Sequence, residues 1–143
     1  MNFDESCFYC TKDRVLDELM LKVCSLQAST VYLFKDQSYY GRCVVALKEH
    51  KRELFELDSE ELTTFMSEVS RVAGAINKLF LPDKINYAIY GDQVSHLHFH
   101  IVPKYKNGLL WGKPFGNNPD GKKILDNEEY DELINLLIQN LKI

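Results

Sequence analysis

The chain has 143 residues, of which 45% are hydrophobic and 27% are charged, and its formal net charge is −4. These values are typical of one soluble globular domain, residues 1–143, that is long enough to form a hydrophobic core. The negative charge argues against a basic surface that binds nucleic acid, and no apolar run approaches the roughly 18 residues of a membrane span. Because no basic and apolar leader follows Met1, we expect no signal peptide and a cytoplasmic location.

A Cys-x-x-Cys motif, Cys7 and Cys10, lies close to the N-terminus. In a reducing compartment such a pair is either a redox centre or half of a zinc site. A thioredoxin-like redox centre needs a strand before the motif, and six residues leave little room for one. A zinc site needs two further ligands from elsewhere in the chain.

The next segments predict a β-hairpin. Residues 15–28 have mixed helix-like spacing and predict a short helix or an irregular segment. Residues 29–35 are rich in β-branched and aromatic side chains and predict a strand. Residues 36–41 then form a hairpin loop, and residues 42–48 form the returning strand.

A long amphipathic helix follows a polar connector at residues 49–61. From Leu62 to Phe80 the apolar residues recur at spacings of three and four, which is typical of a helix packed on a sheet. Asp58 or Ser59 is the expected N-cap. Residues 85–90 predict the next strand, and residues 91–93 a turn.

Three of the four histidines, His96, His98 and His100, alternate with apolar residues. Side chains alternate between the two faces of a strand, so this spacing predicts a strand with the histidines on one face and a core on the other.

The remainder of the chain predicts a loop and a helix. Glycine and proline are concentrated in residues 107–123, which also contain Trp111 and Phe115. Residues 128–142 predict a final helix, capped by Asp126 or Asn127. The whole pattern predicts an α+β fold, an antiparallel sheet of about five strands with one long packed helix and a C-terminal helix.

The run His96-Leu97-His98-Phe99-His100-Ile101-Val102, with Gly91 before it and Pro103 after it, resembles the signature of the histidine triad family. The resemblance implies a homodimeric nucleotide hydrolase or transferase, similar to the diadenosine polyphosphate hydrolases. It implies that His98 attacks the α-phosphate of a nucleotide conjugate and forms a nucleotidyl-histidine intermediate. His100 would bind a phosphate oxygen or position water, and no metal would be required for catalysis.

The resemblance also implies binding residues. Asp36 is the candidate contact to the ribose, and Gln93 and Ser95 are candidate donors to the scissile phosphate or the leaving group. Trp111 and Phe115 are expected either to stack on a base or to anchor their loop.

A structural zinc site is the other implication of the resemblance, with Cys7, Cys10, His50 and His96 as its ligands. His96 could instead be a third phosphate ligand, and these two roles compete for the same ring.

The chain departs from the family pattern at Arg42, which follows Gly41 where the family has a fourth histidine. A cation beside His98 would lower the pKa of its imidazole, and Arg42 could also bind a phosphate oxygen or simply be solvated. The departure motivates an alternative function, a catalytically weak nucleotide-binding or scaffold protein. A second alternative is a catalytic zinc site formed by His96, His98 and His100.

Overall fold

A computed structural model describes residues 2–141, so the predicted domain ends, Met1 and Ile143, and the predicted helix end, Lys142, lie outside the described residues. The fold is a five-stranded antiparallel sheet with strand order β1-β2-β3-β5-β4. The strands are β1 (Met20–Ser25), β2 (Ser29–Phe34), β3 (Cys43–Leu47), β4 (Lys84–Ala88) and β5 (His98–Lys104). The helices are α1 (Phe8–Thr11), α2 (Arg14–Leu19), α3 (Ser59–Phe80) and α4 (Asn127–Leu141), and a 3₁₀ turn covers Leu54–Glu56. The predicted α+β architecture is confirmed.

Strand β1 is the main element that the sequence pattern did not predict. Residues 15–28 contain both the short helix α2 and this strand. A bulge between Lys22 and Cys24 shifts the register against β2, so the alternation of buried and exposed residues is interrupted inside the strand. The interruption explains why the segment shows no clear period of two.

The connection before the triad strand is longer than the predicted turn at residues 91–93. Strand β4 ends at Ala88 and β5 begins only at His98. Leu97 is nevertheless paired, because its N–H donates to the Lys51 carbonyl at 2.8 Å and its carbonyl accepts from the Leu47 N–H at 3.0 Å. His96 therefore lies on the segment that leads into β5 and beside the end of β3.

The two faces of the sheet have different coverings. On one face α3 and α4 bury the main core, to which α3 contributes Phe65, Val69, Val72 and Ile76. Met66, which the helical stripe placed in this core, is 38% exposed. A smaller cluster on the opposite face joins the N-terminal segment to the sheet. Its members are Cys7, Tyr9, Leu16, Met20, Tyr32, Val44 and Ala46.

The turn between β1 and β2 is fixed by a buried carboxylate from α3. Glu68 is 3% exposed and accepts hydrogen bonds from the backbone N–H groups of Gln27 and Ala28 and from the Ser29 hydroxyl. This contact links the first hairpin to the long helix. Within residues 2–141, no helix is both long enough and apolar enough to cross a membrane.

Candidate functional site

His98 and His100 line a cavity of about 450 Å³ on the sheet face that carries the smaller cluster. The N-terminal segment supplies part of the wall, and the connection between β4 and β5 supplies another part. The remaining lining residues are Phe8, Tyr9, Leu19, Met20, Phe34, Tyr90, Gly91, Asp92, Gln93 and Val94. The cavity thus combines an apolar and aromatic wall with two imidazoles, a composition typical of small-molecule sites.

The hydrogen bond of His98 fixes which of its nitrogens can react. Its Nδ1 lies 2.6 Å from the backbone carbonyl of His96, and a carbonyl can only accept, so Nδ1 carries the proton. The Nε2 lone pair is therefore free. Burial lowers the pKa of His98, which favours the neutral ring that can act as a nucleophile. The accepting carbonyl belongs to the segment of His98 itself, two residues earlier in the chain.

His100 has the opposite arrangement. A guanidinium N–H of Arg42 donates to His100 Nδ1 over 3.1 Å, so in the neutral ring the proton lies on Nε2. The pKa of His100 is lowered to about 3, mainly by burial, then by the charge of Arg42 and then by His98. His100 is therefore a neutral hydrogen-bond donor at ordinary pH.

Arg42 contacts His100, and not His98 as the sequence suggested. Its guanidinium carbon lies 4.1 Å from the ring centre of Phe34 and 5.0 Å from that of Phe115, so the cation is held between two aromatic faces. Among the described residues its buried Nε has no hydrogen-bond partner. Arg42 is thus not a solvated arginine at the start of a strand.

The glycine before Arg42 is required by the backbone. Gly41 has φ +97°, and a Cβ atom at this position would meet the Phe80 ring. Gln37 fixes the same loop, since its side-chain oxygen accepts from the Gly41 N–H at 2.7 Å and its amide donates to the Phe34 carbonyl at 2.6 Å.

Cys7, Cys10, His50 and His96 form a second centre beside the cavity. Their ligand atoms all lie within 4.8 Å of one another. Cys7 Sγ is 3.4 Å from His96 Nδ1, and Cys10 Sγ is 3.4 Å from His50 Nδ1 and 3.7 Å from His96 Nδ1. The two Nδ1 atoms are 3.1 Å apart. The described residues contain this single cluster with metal-ligand geometry.

The cluster fits a tetrahedral metal ion. Bond lengths of about 2.3 Å to sulfur and about 2.0–2.1 Å to nitrogen place the ligand atoms of a tetrahedral zinc about 3.3–3.8 Å apart. The four distances given above, 3.1–3.7 Å, are close to these values. His96 Nε2 donates to the Leu47 carbonyl at 2.6 Å, which leaves Nδ1 free as a ligand. His50 Nε2 lies 3.6 Å from an Asp4 carboxylate oxygen on the outer side.

Both ring nitrogens of His96 have partners outside the cavity, since Nε2 bonds to the Leu47 carbonyl and Nδ1 faces the two cysteines. The three triad histidines do not converge on one point. The Nδ1 atoms of His98 and His100 bond to the His96 carbonyl and to Arg42, respectively. The alternative of a catalytic zinc held by all three histidines is therefore not supported. The role of His96 as a third phosphate ligand is disfavoured for the same reason.

The structure brings only some of the predicted binding residues to the cavity. Gln93 lines it, whereas Ser95 is exposed and does not. The Asp36 carboxylate accepts from the Ser38 N–H and hydroxyl in its own loop and from the Lys123 N–H at the end of the glycine-rich loop, and it does not line the cavity. Trp111 lines a different cavity, beside Lys104.

Two aromatic residues of the cavity wall, both in the N-terminal segment, were not predicted from the sequence. Phe8 and Tyr9 lie inside the Cys-x-x-Cys motif, and the ring centre of Tyr9 is 5.2 Å from those of both His96 and His98. Phe115, one of the two loop aromatics considered as base contacts, has its ring centre 6.1 Å from that of His100. The position of Phe8 and Tyr9 in the sequence could have indicated their place. They lie between Cys7 and Cys10, so a metal site that holds both cysteines also places the two aromatics beside it.

A family model described as the HIT domain matches residues 22–107, more than half of the chain. The adenosine 5′-monophosphoramidase of Schizosaccharomyces pombe is 30% identical over 115 residues, which cover 74% of this chain and 83% of that protein.

Solved structures are similar over nearly the whole chain. A histidine triad protein from Bradyrhizobium japonicum superposes with a TM-score of 0.82 at 25% identity, covering 91% of this chain and 96% of that one. A zinc-bound histidine triad family protein from Mycobacterium smegmatis gives a TM-score of 0.66 at 23% identity, covering 95% and 93%. These likenesses agree with the observed sheet and helix arrangement.

Proposed function

The chain belongs to the histidine triad (HIT) family, and from that premise we propose that it hydrolyses or transfers the nucleotidyl group of a nucleotide conjugate. The observation that carries the proposal is the hydrogen bond from His98 Nδ1 to the His96 carbonyl, which leaves Nε2 as the reactive nitrogen in a ring that lines the cavity.

In the proposed first step the Nε2 lone pair of His98 attacks the α-phosphorus. A nitrogen–phosphorus bond forms, the bond to the leaving group breaks, and the leaving group departs with the bonding electrons, taking a proton from solvent if it is an amine. Water then attacks the same phosphorus and gives a proton to solvent. The nitrogen–phosphorus bond breaks, and AMP and neutral His98 are released when the nucleotide is an adenylate.

His100 and Arg42 support this step electrostatically. The Nε2–H of His100 is a donor for a non-bridging phosphate oxygen, where negative charge increases in the transition state. The Arg42 cation behind the ring strengthens that donor. Gln93 is a further polar group of the cavity wall.

We assign a structural zinc ion to Cys7, Cys10, His50 and His96. The support is the separation of the four ligand atoms and the hydrogen bond that commits His96 Nε2 to the Leu47 carbonyl. Bound zinc would cross-link the N-terminal segment to the sheet. The histidine triad family protein from M. smegmatis, which is zinc-bound, supports this assignment.

The proposed substrates are conjugates attacked at the α-phosphate, such as a nucleoside phosphoramidate or a diadenosine polyphosphate. The name of the S. pombe relative, adenosine 5′-monophosphoramidase, supports the first of these. In the alternative function, the chain binds nucleotide without cleaving it. A turnover assay would then detect no product.

The test is steady-state turnover of adenosine 5′-monophosphoramidate and diadenosine tetraphosphate by the unsubstituted chain and by His98→Ala and His100→Ala. We expect release of AMP, its loss in His98→Ala, and a decrease of about 10²–10³-fold in kcat for His100→Ala. Binding of AMP by calorimetry without turnover of either substrate would contradict the proposed function and favour the binding protein.

A further inference from the structure

Tyr9 lines two cavities, the cavity of His98 and a separate one of about 220 Å³, which we call the lysine cavity. The other residues of the lysine cavity are Lys12, Ser25, Thr30, Tyr32, Ala46, Leu47 and Lys48. The Tyr9 ring centre is 6.0 Å from that of Tyr32 and 5.2 Å from that of His98. Within residues 2–141 the two linings have only Tyr9 in common, so Tyr9 forms the wall between two distinct cavities.

The lysine cavity lies between the sheet and the N-terminal segment. Thr30 and Tyr32 alternate along β2, and Ala46 is the partner of Thr30 on β3, so the three side chains share one face of the sheet. Thr30 is 6% exposed and Tyr32 is 4% exposed. Lys48 follows the end of β3, whereas Lys12 follows α1 in the N-terminal segment. Two separate parts of the chain therefore bring a lysine to the same cavity.

The charge of the lining favours an anion. Lys12 and Lys48 line the cavity together with neutral residues, on a protein whose net charge is −4. Lys48 also lines an acidic cavity next to the start of α3, but within residues 2–141 neither lysine has a carboxylate within 4.0 Å. Two lysines without ion-pair partners beside one cavity attract an oxyanion and repel a cation.

The hydroxyl groups of the lining supply further hydrogen-bond donors. Burial raises the pKa of the Tyr32 phenol, and the nearby charge of Asp17 on α2 raises it further, so this hydroxyl keeps its proton at ordinary pH. Asp17 itself does not line the cavity. The hydroxyls of Ser25 and Thr30 can also donate, and an ammonium group can only donate. The lysine cavity therefore offers several N–H and O–H donors to negatively charged oxygen atoms.

The size of the cavity favours a small ligand. Its volume of about 220 Å³ is below the range of about 300–1,000 Å³ that is typical of small-molecule and cofactor sites. The cavity therefore suits one phosphate group, alone or on a short carbon chain, better than a whole nucleotide. Tyr9, Ala46 and Leu47 supply an apolar wall for such a chain.

We infer that the lysine cavity binds a phosphate group, with Lys12 and Lys48 against its charge and the hydroxyls of Thr30 and Tyr32 donating to its oxygens. The group belongs either to inorganic phosphate or to a small phosphomonoester. This site is distinct from the proposed nucleotide site and does not depend on the proposed function.

The experiment is a titration with inorganic phosphate, followed by amide NMR. We expect saturable shifts at Thr30, Tyr32 and Lys48, with a Kd of about 1 mM or below. Lys12→Gln and Lys48→Gln, both at exposed positions, should each raise this Kd about tenfold, the value of one charge-assisted hydrogen bond. Lys78→Gln, at an exposed lysine on α3, is the matched control and should leave the Kd unchanged.

A second titration, with glycerol 3-phosphate, identifies the source of the phosphate group. A lower Kd than that of inorganic phosphate would assign the site to a phosphomonoester, and an equal or higher Kd would assign it to the free ion. Shifts confined to the amides around His98 and His100 would place phosphate in the cavity of His98 and overturn the inference. So would the absence of saturation, or a Kd that neither lysine substitution changes.

Discussion

His98 and His100 are two residues apart on one strand, yet their neighbours hold them in opposite tautomers. A backbone carbonyl keeps the His98 proton on Nδ1, whereas the Arg42 guanidinium keeps the His100 lone pair on Nδ1. The pair therefore presents one lone pair and one N–H, which are the two groups that the proposed attack on a phosphate requires. Arg42 is suited to the second role, because it can only donate.

Replacing Arg42 with Met is expected to raise the pKa of His100 above its value of about 3. The variant removes the nearby positive charge but keeps the bulk between Phe34 and Phe115, so burial still holds the pKa below that of a free histidine. Ring-nitrogen NMR during a pH titration measures the shift. Arg14→Met, at an exposed arginine on α2, is the control, and an unchanged His100 pKa in Arg42→Met would show that the cation does not act on this ring.

His100 also predicts part of the pH dependence of stability. Its pKa is about 3 in the folded chain and about 6.5 when unfolded, so between these values the unfolded chain binds more protons and the free energy of unfolding falls as the pH falls. The slope from this one group is up to about 1.4 kcal/mol per pH unit. Urea unfolding at several pH values should show a smaller slope for His100→Asn. Equal slopes of unfolding free energy against pH in His100→Asn and the unsubstituted chain would refute this contribution of His100.

At the scale of elements, the proposed zinc site contains Cys10 of α1 and Cys7 just before it, so a bound ion would fix this helix against the sheet. Phe8 and Tyr9 lie between the two cysteines and line the cavity of His98, so the cluster and the cavity wall are one unit. A substitution that weakens the contacts among the four residues should therefore also change the cavity wall at Phe8 and Tyr9.

Cys10→Ser is expected to weaken zinc binding by at least about tenfold and to increase hydrogen exchange in residues 8–11. Cys24→Ser is the matched control, since this half-buried cysteine lies outside the cluster. Metal content by mass spectrometry and amide exchange are the two measurements. Full zinc content in Cys10→Ser, with unchanged exchange, would remove Cys10 from the site.

The contact between α3 and the first hairpin depends on Glu68. Glu68→Ala leaves the Gln27 and Ala28 N–H groups and the buried Ser29 hydroxyl without their acceptor, which should lower the free energy of unfolding by about 2–3 kcal/mol. Chemical denaturation measures the change, and Glu132→Ala, exposed on α4, should stay within about 0.5 kcal/mol. A loss in Glu68→Ala no larger than that of the control would show that the hairpin does not need this carboxylate.

At the scale of the whole molecule, periodic segments were predictable and side-chain pairings were not. The spacing of His96, His98 and His100 predicted a strand, and the stripe from Leu62 to Phe80 predicted α3, because both patterns follow from local geometry. The bulge in β1 interrupts its period, so that strand was missed.

The neighbour of Arg42 depends on which strands pair. Val44 lies opposite His100 in the pairing of β3 with β5, and this register brings Arg42 near His100. No local pattern encodes that contact.

The diadenosine polyphosphate subtype, the homodimer and the cytoplasmic location stay predictions.

The measurement that most directly tests the central claim is the intact mass of the chain within milliseconds of mixing with adenosine 5′-monophosphoramidate. The reaction is stopped at alkaline pH, because the bond between phosphorus and imidazole is labile in acid. We predict one added adenylyl group, mapped to His98 by peptide analysis and absent in His98→Ala. Turnover without an adduct, or an adduct that persists in His98→Ala, would contradict the account.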